Sequence, residues 1–231
     1  MKRVKNIGKF IGLVLLGTML NLIPMILIGR QAQTPEVMKW LLSLGYLILA
    51  FGLIYFFYDK YKEKEKFEVR FQRFTWKDFG IAVLFFLATR LVAILGTFLI
   101  QSVTGNAMSG NDAALSATNT QLQQMFPLYF VVFHVMIGLI APVFEELTFR
   151  GFFSRFFFQK KWAKGLFSSA LFALLHVTRP IEFIMYFLLG LIFYLAYARR
   201  ENIMDSIVVH MLNNGLIVVF SVINYFMLLF N

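Results

Sequence analysis

Long apolar stretches separated by short polar segments dominate the pattern of this chain. Several stretches reach the roughly 20 residues that an α-helix needs to cross a bilayer core of about 30 Å. Seven helical spans are predicted in this way, at residues 10–28, 40–58, 79–101, 127–157, 165–178, 181–198 and 204–230. The pattern therefore predicts an all-α, polytopic transmembrane helix bundle of about seven spans, within a range of six to eight.

The amino-acid composition also indicates a membrane protein. The chain has 231 residues, of which 59% are hydrophobic and only 15% are charged. A soluble domain of this length cannot bury so much apolar surface, because the share of buried surface rises only slowly with chain length. No soluble segment and no internal repeat is apparent, so we expect one integral membrane domain over residues 1–231.

The positively charged residues lie beside the apolar spans. With the N-terminus inside, the cytoplasmic segments hold seventeen Lys and Arg residues, and the outer segments hold three. This asymmetry predicts a multi-pass protein of the plasma membrane with a cytoplasmic N-terminus. Basic flanks beside an anionic leaflet also account for the formal net charge of +10, so nucleic acid is not an expected partner. The absence of cysteine excludes disulfides and thiolate chemistry.

Two polar segments interrupt the spans. Residues 60–66 form a run of mixed charge, which we interpret as a solvated helical extension or linker. Residues 102–124 are rich in Ser, Thr, Asn, Gly and Gln, which predicts an exposed outer loop. Neither segment carries a candidate site.

A few polar residues fall within the predicted spans, where a charged group costs on the order of a few kcal/mol and is therefore a functional hypothesis. They are Arg90, His134, Glu145, Glu146, Arg150, His176, His210, Asn213 and Asn214. At 1.5 Å per residue, Glu145, His176 and His210 lie about 14 to 22 Å from the cytoplasmic ends of their helices. Three helices thus bring polar side chains to one layer near mid-membrane. This common depth predicts a single site.

Two of these polar residues, Arg90 and His134, are expected to have other roles. Arg90 lies near the middle of the third span, where it would either pair with a carboxylate or a backbone carbonyl or contact the substrate. His134 is about 17 Å from Glu145 along the same helix. We therefore interpret His134 as a structural residue.

Spacing along the helices separates the polar residues by function. Glu146 and Arg150 are four residues apart and can form an ion pair along one helix face. Glu145 projects about 100° away from Glu146 and is free to face a cavity. His210 and Asn214 are also four residues apart, so both can face one ligand.

The chemistry expected of this set is the activation of water for peptide hydrolysis. A carboxylate in a water-poor pocket suits the role of general base, which we assign to Glu145. His176 would share the attacking water or protonate the leaving amine, and His210 with the Asn214 amide would hold the developing oxyanion. Two histidines and a carboxylate are also common ligands of Zn²⁺ or Fe²⁺, so the residues alone leave a metal site open.

Three motifs carry a resemblance to a known family. The segments E-E-L-T-F-R at 145–150, F-A-L-L-H at 172–176 and H-M-L-N-N at 210–214 occur in this order on consecutive predicted helices. They resemble the E-E-x-x-x-R, F-x-x-x-H and H-x-x-x-N motifs of the CAAX-protease and bacteriocin-processing (CPBP, or Abi) family. The resemblance covers residues 126–217, the expected catalytic core, whereas residues 1–125 match only in being membrane spans.

The resemblance implies an intramembrane endopeptidase with its active site at mid-membrane depth. It implies four catalytic residues: Glu145, His176, His210 and Asn214. Glu146 and Arg150 would support them. The family is described both as metalloproteases and as metal-independent glutamate proteases. We favour a mechanism without a cofactor. If the enzyme used a metal, Zn²⁺ would be held by Glu145, His176 and His210.

The expected substrate is a peptide or a membrane-protein segment within the lipid bilayer of a bacterial cell. The short chain favours bacteriocin or peptide processing, self-immunity or membrane signalling over prenyl-protein processing, with a sensor kinase or peptide exporter as a further partner. Two other functions stay open. One is a non-catalytic membrane regulator or immunity partner with the same fold, and the other is a small transporter with Glu145 or Glu146 as a proton relay. Motifs of the zinc, aspartyl and serine intramembrane proteases are absent.

Overall fold

The computed structural model describes residues 2–65, 73–110, 112–113, 124–158 and 160–230, and in this part the chain has no β-strand. Seven main helices follow one another, and a short 3-10 turn at Gln31–Gln33 joins the first two. They are α1 (Lys2–Gly29), α2 (Glu36–Glu65), α3 (Trp76–Thr104), α4 (127–157), α5 (Lys161–His176), α6 (Glu182–Ala198) and α7 (Ile203–Phe230). The predicted all-α bundle is confirmed.

Helix length and composition make this a multi-pass membrane protein. Five of the described helices, α1 to α4 and α7, are long and apolar enough to cross a membrane. The other two have 16 and 17 residues, about 24 to 26 Å, which is shorter than a bilayer core of about 30 Å. In the most apolar 18-residue stretch of α4, 61% of the residues are buried inside the bundle, against 11% in the corresponding stretch of α3. Helix α4 therefore runs through the centre of the bundle, while α3 exposes apolar side chains on its outer side.

The two polar segments have different outcomes. Helix α2 continues through most of the mixed-charge run at 60–66, where Lys60 and Glu63 form an exposed ion pair 2.9 Å long. This part of the run is therefore a helical extension, and Lys66 lies outside the described residues. Residues 102–104 of the predicted outer loop still belong to α3, and residues 111 and 114–123 lie outside the described residues.

Helix α4 departs from regular α-geometry on both sides of its glutamate pair. Two π-helical segments, Met136–Ile140 and Leu147–Phe153, flank a short α-helical stretch that begins next to Pro142. Proline has no N–H, so Pro142 cannot donate to the carbonyls one turn earlier in the helix, among them that of Ile137. The sequence of α4 thus leaves a backbone acceptor available in the middle of the bundle.

Ion pairs at one end of the bundle hold α3, α6 and α7 in register. Arg199 and Arg200, which follow α6, bind both Asp78 at the start of α3 and Asp205 at the start of α7, at 2.6 to 3.0 Å. These ion pairs fix the relative heights of α3, α6 and α7. At the middle of the bundle, Gly190 of α6 packs closely against Ser169 of α5.

Candidate active site

Glu145 of α4 faces a cavity, and two histidines meet its carboxylate. Nε2 of His176 on α5 lies 3.5 Å from Oε2 of Glu145, and Nε2 of His210 on α7 lies 3.9 Å from the same oxygen. The Glu145 side chain is 16% exposed, whereas that of Glu146 is completely buried. The structure thus brings three sequence-predicted residues from three helices to one point.

Each histidine is oriented by a hydrogen bond through its other ring nitrogen. Nδ1 of His176 lies 2.7 Å from the carbonyl oxygen of Phe172, one turn earlier on α5. Nδ1 of His210 lies 2.9 Å from Oε1 of Glu146. Because both partners are acceptors, each Nδ1 is the protonated donor, and a neutral ring presents the lone pair of Nε2 towards Glu145. This arrangement suits the exchange of a proton with a water molecule.

Glu146 and Arg150 form a fully buried ion pair behind the histidine of α7. Nη1 of Arg150 donates to Oε1 of Glu146 at 2.9 Å, and Nη2 donates to the carbonyl oxygen of Gly190 on α6 at 2.7 Å. The spacing in the sequence predicts the pair itself. It does not predict that Glu146 also accepts from His210 or that Arg150 reaches α6. The pair therefore orients His210 and joins α4 to α6 and α7.

Asn214, the predicted oxyanion donor, lines the same cavity as Glu145. Its Nδ2 donates to the carbonyl oxygen of Ile137 at 3.1 Å, the acceptor that Pro142 leaves available in α4. Its Oδ1 accepts from Nδ2 of Asn213 at 3.0 Å. An amide nitrogen carries two N–H groups, so Asn214 keeps a second donor for a substrate oxygen.

Two residues of the N-terminal half reach this site, and the sequence motifs do not include them. Nδ2 of Asn21 on α1 lies 3.4 Å from Oε1 of Glu145, and Arg90 on α3 donates to Oδ1 of Asn213. Arg90 is expected from the sequence to pair with a carboxylate or a backbone carbonyl or to contact substrate. Its hydrogen-bond partner is a side-chain amide, and the Asp112 carboxylate, which lines the same cavity, interacts electrostatically with its charge. A polar residue within an apolar span is the signal that could have singled out Asn21.

His134 lies apart from this group. Its Nδ1 is 2.7 Å from the carbonyl oxygen of Phe130, and its Nε2 is 2.7 Å from Oγ of Ser221 on α7. Both ring nitrogens are therefore engaged, one within α4 and the other in joining α4 to α7. The structure agrees with a structural role for this histidine.

Two cavities meet at the glutamate. The larger, of about 680 Å³, is enclosed mainly by α3, α4, α6 and α7, and the smaller, of about 280 Å³, lies between α1, α4 and α5. Asn21, Glu145 and His176 line both cavities. The smaller cavity is mainly apolar, and the exposed side chains of Leu22 and Leu175 lie on its wall. The carboxylate is thus reached from two sides.

Glu145, His176 and His210 offer the ligand types of a Zn²⁺ site. The Nδ1 hydrogen bonds of the two histidines also resemble those that orient histidines around a metal. However, no group of three or more His, Cys, Asp or Glu side chains in the described part of the chain has a geometry that would hold a metal ion. The side-chain positions therefore assign no metal, and metal dependence becomes a question for experiment.

Comparisons with known proteins agree with the motifs. A family model described as "Type II CAAX prenyl endopeptidase Rce1-like" matches residues 127–216, a range that includes all three motifs. No solved structure matches the chain.

Similar curated proteins come from two bacteria. UPF0177 protein YbdI of Lactococcus lactis is 35% identical over 107 residues, which cover 46% of this chain and 58% of that protein. UPF0177 protein YxdF of the same species is 34% identical over 131 residues, or 55% of this chain and 67% of that protein. Membrane-embedded CAAX protease MroQ of Staphylococcus aureus is 34% identical over 102 residues, or 40% of each chain. The match spans little more than half of the first of these relatives.

Proposed function

This chain belongs to the CAAX protease and bacteriocin-processing family, and we propose that it is an intramembrane endopeptidase that hydrolyses a peptide bond with a Glu145-activated water. One observation carries the proposal. Oε2 of Glu145 is buried and accepts no hydrogen bond from the described protein, yet it faces two histidine nitrogens where two cavities meet. Glu146 also has a buried oxygen without a hydrogen bond, but it lines neither cavity and its other oxygen binds Arg150 and His210.

The proposed reaction begins with a water molecule between Glu145 and His176. Glu145 takes a proton from the water as its oxygen attacks the carbonyl carbon of the scissile bond. The carbonyl oxygen then becomes an oxyanion, which accepts the second N–H of Asn214. The intermediate collapses as the C–N bond breaks, and the leaving amine takes a proton from Glu145 or through His176.

The proposed part of His210 is narrower than that of Asn214. Its Nδ1 proton is committed to Glu146, so Nε2 can donate to an oxyanion only when both ring nitrogens are protonated. Asn214 donates without any change of protonation. We therefore assign the main oxyanion contact to Asn214 and interpret His210 as a residue that helps to hold the water, because the lone pair of its Nε2 can accept a water O–H.

The proposed substrate is a peptide or a membrane-protein segment that approaches within the bilayer. The apolar wall of the smaller cavity would accept an apolar group next to the scissile bond. We further propose that the chain lies in a bacterial plasma membrane with its N-terminus on the cytoplasmic side, which the basic flanks of its spans support. We also propose a role in peptide processing, immunity or signalling, with a sensor kinase or a peptide exporter as a partner. The similarity to a staphylococcal membrane-embedded CAAX protease supports the protease activity alone.

A turnover assay tests this proposal. The purified protein in lipid nanodiscs is incubated with a panel of internally quenched peptides, each made with and without a C-terminal prenylcysteine. Glu145→Gln is expected to lower the cleavage rate by about 10² or more, the usual contribution of a general base. Glu36→Gln, the same chemical change at an exposed position at the start of α2, is expected to keep the wild-type rate. If the Glu145→Gln variant cleaved at the wild-type rate, Glu145 would not be the general base.

A further inference from the structure

Arg90 is a half-buried cation whose role the family motifs do not explain. It lies near the middle of α3, outside the matched range 127–216, and lines the larger cavity together with Glu145. Its Nη2 donates to Oδ1 of Asn213, while its buried Nε has no hydrogen-bond partner among the described residues. A guanidinium at membrane depth is costly, so its presence calls for a function.

The hydrogen bond from Arg90 is the first of three in a row. Asn213 accepts from Arg90 through Oδ1 and donates through Nδ2 to Oδ1 of Asn214 at 3.0 Å. Asn214 then donates through Nδ2 to the carbonyl oxygen of Ile137 at 3.1 Å. The row therefore links a cation on α3, two amides on α7 and a backbone carbonyl on α4.

The two ends of this row allow only one direction of donation. A guanidinium can only donate, and a backbone carbonyl can only accept. Asn213 must therefore present its oxygen to Arg90, which leaves its Nδ2 to donate to Asn214. Asn214 must present its oxygen to Asn213 and its nitrogen to Ile137. Both ends thus favour the same orientation of the Asn214 amide.

We propose that Arg90 is a positioning residue that, through Asn213, holds the Asn214 amide with its N–H groups towards the oxyanion. This inference rests on the proposed peptidase function. Without Arg90 the Asn213 amide is free to rotate, and Asn214 then loses the donor to its oxygen. A rotated Asn214 amide would place a partial negative charge next to the oxyanion, which is unfavourable.

The test replaces Arg90 by residues that differ in hydrogen-bonding character. Arg90→Met removes the donor, Arg90→Gln provides an amide of either orientation, and Arg90→Lys keeps a group that can only donate. We expect Met and Gln to lower kcat roughly tenfold with KM little changed, less than the 10²- to 10³-fold that a complete oxyanion donor supplies. Lys is expected to restore kcat to within about threefold of wild type, which a role in filling space would not produce.

A double-mutant cycle locates the effect at Asn214. In an Asn214→Ala background, Arg90→Met is expected to cause no further loss, because the amide that it positions is absent. Thr89→Val is the matched control on α3, since the Thr89 hydroxyl donates to the carbonyl oxygen of Phe86 in its own helix and to no other group in the described part of the chain. This variant is expected to keep wild-type kcat and KM.

Several outcomes would overturn the inference. Full additivity of the Arg90 and Asn214 substitutions would show that the two residues act independently. A raised KM with unchanged kcat, abolished when the peptide C-terminus is amidated, would instead make Arg90 a carboxylate-binding residue. Failure of the proposed function would be recognised by a different result. Glu145→Gln, assayed on the same peptides, would then cleave like wild type, whatever the Arg90 series shows.

Discussion

Replacing Arg150 by Met should destabilise the bundle strongly, because the arginine is completely buried and both Nη1 and Nη2 of its guanidinium donate hydrogen bonds. The substitution removes a 2.9 Å ion pair with Glu146 and a 2.7 Å hydrogen bond to the carbonyl oxygen of Gly190. Glu146 is also completely buried, so its carboxylate would be left without a compensating charge. Breaking a buried pair in this way typically costs about 3–5 kcal/mol, and we expect a loss of that size in the free energy of unfolding.

A second substitution separates the uncompensated charge from the loss of packing. In the double variant Glu146→Gln/Arg150→Met, neither position of the pair carries a charge, so we expect the double variant to be more stable than Arg150→Met alone. Its peptidase rate should stay low, because Nδ1 of His210 then meets a neutral amide oxygen in place of a carboxylate. Stability and turnover would thus respond differently to the same pair of changes.

The assay is reversible unfolding in mixed micelles of detergent and SDS, monitored by circular dichroism at 222 nm. It is applied to the wild type, to Arg150→Met, to the double variant and to Glu146→Gln. Peptide cleavage is measured on the same preparations. The reasoning would be refuted if Arg150→Met were as stable as wild type. It would also be refuted if the double variant were no more stable than Arg150→Met, because relief of the buried charge is the cause that we assign.

Two further predictions concern metal dependence and helix packing. Cleavage by the purified protein should survive strong chelation, and loss of activity with recovery on addition of Zn²⁺ would instead assign Glu145, His176 and His210 as metal ligands. Gly190→Ala should destabilise the bundle by about 1–3 kcal/mol, because its new Cβ would lie 3.1 Å from the Cα of Ser169 on α5. Gly45→Ala on α2, where a Cβ meets nothing within 4 Å, is the control in the same unfolding assay, and equal effects of the two substitutions would contradict the packing argument.

The fold class and the depth of the site could be predicted from the sequence. Hydropathy determines which segments cross the bilayer, and the constant rise of a helix converts residue number into depth. This was sufficient to place Glu145, His176 and His210 in one layer, and the structure brings them together. Helical spacing also predicted the pair of Glu146 and Arg150, because residues four apart share a face in any helix.

The partners of these residues depend on how the helices pack, which a pattern along one helix does not contain. The rotation of α1 and α3 about their own axes and the helices against which they pack determine two contacts. Asn21 meets Glu145 across 124 residues of sequence, and Arg90 meets Asn213 across 123. The hydrogen bond that His210 donates to Glu146 likewise joins α7 to α4. The amino-acid sequence by itself determined a membrane bundle with three motifs at one depth. Only the tertiary structure decided which side chains orient them, because depth follows from hydropathy and contact from packing.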